Sequence, residues 1–203
     1  MQKSDETESR LKKQFNFLRE LDKEKQIGRQ TYLADGSRLE NDAEHAWHMA
    51  VMALFLSEYS NEKIDLLRTI AMILLHDVVE IDAGDTYAYD EEAKKSQADR
   101  ERQAADRIFG LLPDDQGERF KALWEEFEER KTPEARFARA LDNFQPLMLN
   151  AASGGKSWEE HHIHLEQVLA RNGRSQEGSK ELWAYVYEHF IMPSVENGKL
   201  ESR

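Results

Sequence analysis

Two neighbouring stretches constrain the fold of this 203-residue chain more than any other feature. The segments AWHMAVMALFLSEY (46–59) and IDLLRTIAMILLHDVVEIDAGD (64–85) are apolar on nearly every side. A surface helix carries one apolar stripe, whereas a helix that is apolar all round belongs inside a packed protein. The spacing therefore predicts two adjacent buried helices, the second running until Gly84 stops it. That second helix carries a conflict, because the run IAMILL (70–75) is followed by His76, Asp77 and Glu80. On a helix the first two point about 100° apart and Glu80 follows on the adjoining turn, so the three surround one small volume. Buried imidazoles and carboxylates are costly unless they are paired or bound to metal, so this cluster needs partners.

The rest of the chain also reads as helical. Leu11, Phe15, Leu18 and Leu21 recur with the spacing of one face of a surface helix. The stretch RQTYLADGSRLEND (29–42) loses that period and turns at Asp35-Gly36-Ser37, which predicts a loop carrying Arg29 and Arg38. Asn41, with Glu44 three residues on, forms a capping-box pattern that starts the next helix. Residues 90–110 are highly charged, and apolar positions such as Ala104, Ala105 and Ile108 are too sparse for deep burial, so a helix lying over the surface is expected. Thr132-Pro133 opens a helix through ARFARALDNF (135–144), which Pro146 should kink or end. Ser157 caps a helix over 158–171, and Leu182, Trp183, Val186 and Phe190 mark the last one. No alternating run suggests a sheet. The expectation is an all-α bundle of roughly eight helices in one domain over 1–203, with its core at about 11–150 and the helices of 157–192 packed on it.

Composition narrows the chemistry. With 40 acidic against 28 basic side chains the formal charge is −12, a field that repels nucleic acid and anionic membranes and favours small substrates. An anionic substrate must therefore meet a local basic pocket. The absence of cysteine removes disulfides, thiolate metal sites and a thiol nucleophile, so any metal must be held by His and carboxylates. The polar start MQKSDETESR and the lack of a bilayer-length apolar run make a cytoplasmic location and no membrane partner the expectation. Trp124, Trp183 and Tyr187 leave open a homodimer contact or simple packing.

Two further polar residues stand in core-like segments: His45, in the first turn of the helix from Asn41, and Asp142, within FARALDNFQPLML. Two imidazoles and two carboxylates suit a divalent first-row metal with positions left open for water and substrate. On the residues alone the alternatives stay open. His76-Asp77 could be a hydrogen-bonded dyad, His48 a packed histidine, and Asp142 an ion-pair partner of Arg136 or Arg139. Another histidine cluster, EEHHIH (159–164), lacks a metalloprotease spacing, and His161, His162 and His164 read better as part of a charged, exposed face.

Glu44-His45, then His76-Asp77 with Glu80 and Gly84-Asp85, then Asp142 within ALDNFQP, resemble the H…HD…D pattern of the HD-domain metal-dependent phosphohydrolases. The likeness covers about residues 11–150 and is nearest to the 5'-deoxynucleotidase branch, whose motif HDxxExxxGD is met at all five fixed positions in 76–85. The resemblance implies an all-α bundle in which His45, His76, Asp77 and Asp142 ligate one divalent ion (Mn, Co, Fe, Zn, Ni or Mg). It also implies removal of the 5'-phosphate from a small substrate such as a nucleoside monophosphate. Glu80 would then be the general acid or base one turn from the metal pair, and Asp85 would orient it or contact the sugar. Arg38, Arg29 and Tyr32 are the substrate-binding candidates, since a guanidinium grips phosphate through paired N–H bonds and an aromatic ring can meet the sugar. The deoxynucleotidases of that branch carry a tryptophan just after the upstream arginine, whereas this chain reads Arg29-Gln30-Thr31-Tyr32. A cyclic phosphodiesterase and a non-enzymatic metal- or nucleotide-binding module are the other readings.

Overall fold

The computed structural model describes residues 2–89 and 91–202. The fold is all-α with one small hairpin. Helix α1 (Gln2–Leu21) leads into strands β1 (Gly28–Tyr32) and β2 (Leu39–Asn41), which pair antiparallel, and then into α2 (Asp42–Leu56), α3 (Leu66–Leu75) and the single turn α4 (Glu80–Ala83). Helices α5 (Glu91–Phe109), α6 (Asp114–Glu129) and α7 (Pro133–Ala152) follow. The short helices α8 (Lys156–Glu160), α9 (Leu165–Asn172), α10 (Lys180–Val186) and α11 (Met192–Glu196) complete the chain. Among the described residues no helix is long and apolar enough to cross a membrane.

The predicted helix starts follow from local chemistry. The Asn41 side chain accepts from the Glu44 N–H while the Glu44 carboxylate accepts from the Asn41 N–H, which fixes the first turn of α2 and hence His45. Thr132 caps α7 by accepting from Ala135 N–H, with Pro133 in the first turn. Helix α7 continues past Pro146 to Ala152, so the proline does not end it. It is buried along most of its length, from Ala135 and Phe137 to Leu149, and packing on all sides outweighs one missing N–H. It forms the spine of the main apolar cluster, which gathers Met49 and Ala53 of α2 with Met72 and Ile73 of α3.

Several sequence expectations need correction. The helices of 46–59 and 64–85 are not buried all round, since Trp47, Leu54 and Phe55 of α2 and Leu67 and Leu74 of α3 are exposed. The segment 29–42 is a hairpin, not an irregular loop: its turn is closed by Leu33 N–H to Arg38 O at 2.9 Å, with Gly36 at φ +68° and Ser37 N–H donating to Asp35. The helix predicted to reach Gly84 stops at Leu75, and the chain turns through His76–Val79 before α4. Val78 and Val79 leave the first cluster at that turn and insert into a second one with Ala104, Ala105, Ile108 and Phe109. Those α5 residues are fully buried, because alanines let α5 approach closely even though large apolar side chains are few. On α1 the predicted inward stripe faces outward, with Leu11, Phe15 and Leu18 exposed. Phe17 is the buried anchor against Phe109, and Arg10 and Lys13 tie the helix to Asp115 and Asp114 at the start of α6. The helix expected over 158–171 is likewise interrupted between α8 and α9, where His162 adopts φ +51° and Trp158 and Ile163 are buried on either side of the break. Trp124 packs inside, and Trp183 stacks on Phe144 with ring centroids 6.5 Å apart.

Candidate metal centre

The break after α3 places His76 and Asp77 on a turn, facing His45 from α2 and Asp142 from α7. His45 Nε2 lies 3.1 Å from Asp142 Oδ1 and 4.0 Å from Asp77 Oδ2. His76 Nε2 lies 2.9 Å from Asp77 Oδ2 and 3.7 Å from Asp142 Oδ1. Metal–ligand bonds of about 2.0–2.3 Å put neighbouring donor atoms roughly 3–4 Å apart, which is the spacing of this set.

The outer nitrogen of each imidazole explains why Nε2 points inward. His76 Nδ1–H donates to Ile73 O at 2.7 Å, and His45 Nδ1–H donates to Gln145 Oε1 at 3.0 Å, while the Gln145 amide group donates to Glu40 at 2.8 Å. With Nδ1 committed outward, each Nε2 faces the centre, where His45 Nε2 is hydrogen-bonded to Asp142 and can hold either a proton or a metal ion, as metal-ligating histidines do. His76 Nε2 is buried and lacks a hydrogen bond, since Asp77, though close, lies out of line. A buried ring nitrogen without a partner is rare, and a cation at the common point would satisfy it. Burial alone disfavours a charge on His76, but the carboxylates of Asp77 and Asp142 outweigh it and lift the imidazole pKa to about 10. A proton and a divalent ion therefore compete for this position. Asp142 is held well below the usual carboxylate range: burial opposes this, but contacts with His45 and His76 and the charge of Arg139 prevail.

A second acidic group adjoins the first, with oxygens of Asp42, Asp77 and Glu80 mutually within 4.8 Å. Glu80 is buried beside Asp42. Burial, then the charges of Asp77, Asp42 and Asp85, push its pKa well above the usual carboxylate range, which favours the protonated acid. Arg29, from β1, reaches into the same group: its guanidinium donates to Asp77 at 2.8 Å and Asp42 at 3.1 Å and lies 3.6 Å from Glu40.

The centre opens into a cavity of about 410 Å³ lined by Asp85 as well as by Arg29, Arg130, Arg139 and Arg171. A side cavity continues past Asp85 and Arg171 to Gln30, Tyr87, Tyr89 and Trp158. Arg38 and Tyr32 stay outside both. Arg38 is bound by Glu44 and half exposed, since the capping glutamate of α2 captures it at the surface. The Tyr32 hydroxyl donates to Glu160 at 3.0 Å, and its ring lies under the Lys156 ammonium. His164 pairs with Glu201 near the chain end, and His161 packs on Tyr87. Sequence reasoning missed Gln145 as the residue that orients His45, although it lies one helical turn after Asp142 on the same face.

Comparison with known proteins places this arrangement. A family model described as HD domain matches residues 21–183. This chain belongs to the HD domain family. A protein of known structure, described as a predicted metal-dependent phosphohydrolase from Magnetospirillum magnetotacticum MS-1, is 48% identical over 96% of this chain and 97% of that one, with a TM-score of 0.91. The 5'-deoxynucleotidase HDDC2 of Homo sapiens is 30% identical over 65% of this chain, and that of Xenopus laevis is 31% identical over 68%. The aligned stretch spans 64% of the human protein's length and 61% of the frog protein's.

A buried acid near the HD centre gives a stability test. Glu24 follows α1, its Oε1 lacks a hydrogen bond, and burial, reinforced by Asp77 and Asp42, raises its pKa to about 8. Below pH ~4.3 this carboxyl is protonated in both folded and unfolded chains and costs nothing. As pH rises toward 8 the unfolded chain ionises while the fold resists, so stability is lost across that window. In metal-free protein, Glu24→Gln should match wild type near pH 4.5 and exceed it at pH 8 by on the order of 2–4 kcal/mol, or roughly 5–10 °C in Tm. Thermal melts at the two pH values check this, and a difference that does not change with pH would contradict it.

Proposed function

We propose that this chain is an HD-type phosphohydrolase that removes the 5'-phosphate from nucleoside monophosphates with the help of one divalent ion. The observation that carries the reading is the convergence of His45 Nε2, His76 Nε2, Asp77 Oδ2 and Asp142 Oδ1 beside Glu80, buried among carboxylates that raise its pKa. The HD-domain relatives whose names specify 5'-deoxynucleotidase and metal-dependent phosphohydrolase activity support it. An ion held by the four groups supplies a positive charge for the phosphate oxygens and brings water to deprotonation near neutral pH.

The chain's own residues do the rest. Arg29 holds Asp77 and Asp42 in position, and Arg139, donating to Asp142 at 3.0 Å, does the same on α7. Water attacks phosphorus, the ester bond to the 5'-oxygen breaks, Glu80 gives its proton to the departing oxygen, and a proton of the attacking water, carried on the released phosphate, returns to Glu80. Asp42, close beside Glu80, keeps the anionic form of the carboxyl disfavoured until that transfer. The side cavity offers Tyr87, Tyr89 and Trp158 as apolar and aromatic surface for a nucleoside, with Asp85 and Gln30 at its edges.

The test is phosphate release from purified protein, stripped of metal and then reloaded, on nucleoside 5'-monophosphates and on cyclic nucleotides of the same bases. Metal-dependent release from the monophosphates, at least about 10²-fold faster than cyclic ester opening, is expected, because Glu80 is set to protonate a leaving alcohol that departs from the site. Faster turnover of the cyclic esters would reject the monoesterase reading.

A further inference from the structure

The cavity walls contain four arginines, and two are already neutralised. Arg29 is bound by Asp77 and Asp42, and Arg139 by Glu128 and Asp142. Arg130 and Arg171 have no carboxylate partner among the described residues. They differ in position. Arg171 also lines the side cavity, and its charge is felt by Asp85 and Tyr89, at the nucleoside end. Arg130 instead lies within the fields of Arg139 and Asp142, at the metal end, and also lines a small recess with Arg136, Arg139 and Arg174.

Arg130 is unusual in its backbone as well. It ends α6 in the left-handed conformation, φ +56° and ψ +32°, a place where glycine or asparagine is the ordinary choice. Arg130 is partly buried beside Arg139 and Arg174, and although Glu128 and Asp142 also act on it, burial first and Arg139 second prevail and lower its pKa, an environment that an anion in the cavity relieves. Resting on the monophosphatase reading, we infer that Arg130 is a phosphate-binding residue, its planar guanidinium taking the non-bridging oxygens of the substrate and of the inorganic phosphate released. It fills the role that Arg38, fixed by Glu44, does not reach.

The left-handed backbone supplies the test, because Arg130→Gly removes the side chain while relieving backbone strain, so the variant should fold at least as well as wild type. With magnesium-loaded protein, titration calorimetry with inorganic phosphate should show Kd rising at least about tenfold in Arg130→Gly, and about threefold in Arg130→Lys, which keeps charge without the paired N–H geometry. KM for a nucleoside monophosphate should rise in parallel, with metal content unchanged and Tm equal or higher. A phosphate Kd and KM within twofold of wild type in a folded, metal-replete Arg130→Gly protein would overturn the assignment. A wild-type protein that releases no phosphate from any monophosphate would overturn the hydrolase reading instead, while the calorimetric comparison still decides whether Arg130 binds phosphate.

Discussion

Asp77→Asn lowers kcat/KM for nucleoside monophosphates by at least about 10³-fold and releases the bound ion. The substitution is nearly isosteric and leaves a carbonyl to accept from Arg29, so the fold around β1 and α3 should persist. What disappears is a buried anion whose charge was maintained against its own burial by His76 and Arg29. An amide offers a weaker donor atom with no charge, and His76, deprived of the main group raising its pKa, loses its electrostatic match to a cation. Turnover and metal content should fall together, which elemental analysis alongside a phosphate-release assay reads directly. Adding excess metal should recover part of the activity, because the other three donors remain.

Glu80→Gln gives the complementary result: kcat falls about 10²- to 10⁴-fold while the ion stays. Glu80 is not among the four convergent donors, so an amide there leaves them intact, but it cannot deliver a proton. The pH profile separates this from a packing defect. Burial and the neighbouring carboxylates raise the Glu80 pKa, so wild-type activity should fall as pH rises and the acid ionises. It should also fall at acid pH, where protons displace the ion from His76. Glu80→Gln should keep the acid limb and lose the alkaline one. A variant that retains both limbs with merely scaled rates would show that Glu80 does not donate the proton.

The elements that were legible in the sequence are those fixed by local chemistry. The Asn41–Glu44 box and the Thr132-Pro133 start involve residues within a turn or two of each other, so pattern alone located them, whereas the all-round apolarity of 46–59 located a helix but not its burial, since Trp47, Leu54 and Phe55 are exposed. The order His45, His76-Asp77, Asp142 was likewise visible, because polar residues in apolar helices are conspicuous. What was hidden depends on distant partners. The break at His76–Val79 arises because Val78 and Val79 belong to a different cluster from Met72 and Ile73, and no local breaker signals it. The face of α1 is chosen by Asp114 and Asp115, about a hundred residues away. Arg29 and Arg38 looked equivalent in the sequence. The hairpin turns one toward Asp77 and leaves the other with Glu44, a distinction that depends on strand register and not on spacing. Arg130 and Arg171 carry no motif at all, and only the folding of α6 and α9 around one cavity brings them to the centre.

The central claim is that a metal held by His45, His76, Asp77 and Asp142 works with the acid Glu80 as a hydrolytic centre. Metal content and phosphate release measured side by side on wild type, Asp77→Asn and Glu80→Gln test it most directly. Wild type should hold about one ion per chain and turn over, Asp77→Asn should lose both, and Glu80→Gln should keep the ion and lose turnover. Full metal content and undiminished hydrolysis in Asp77→Asn would contradict the account.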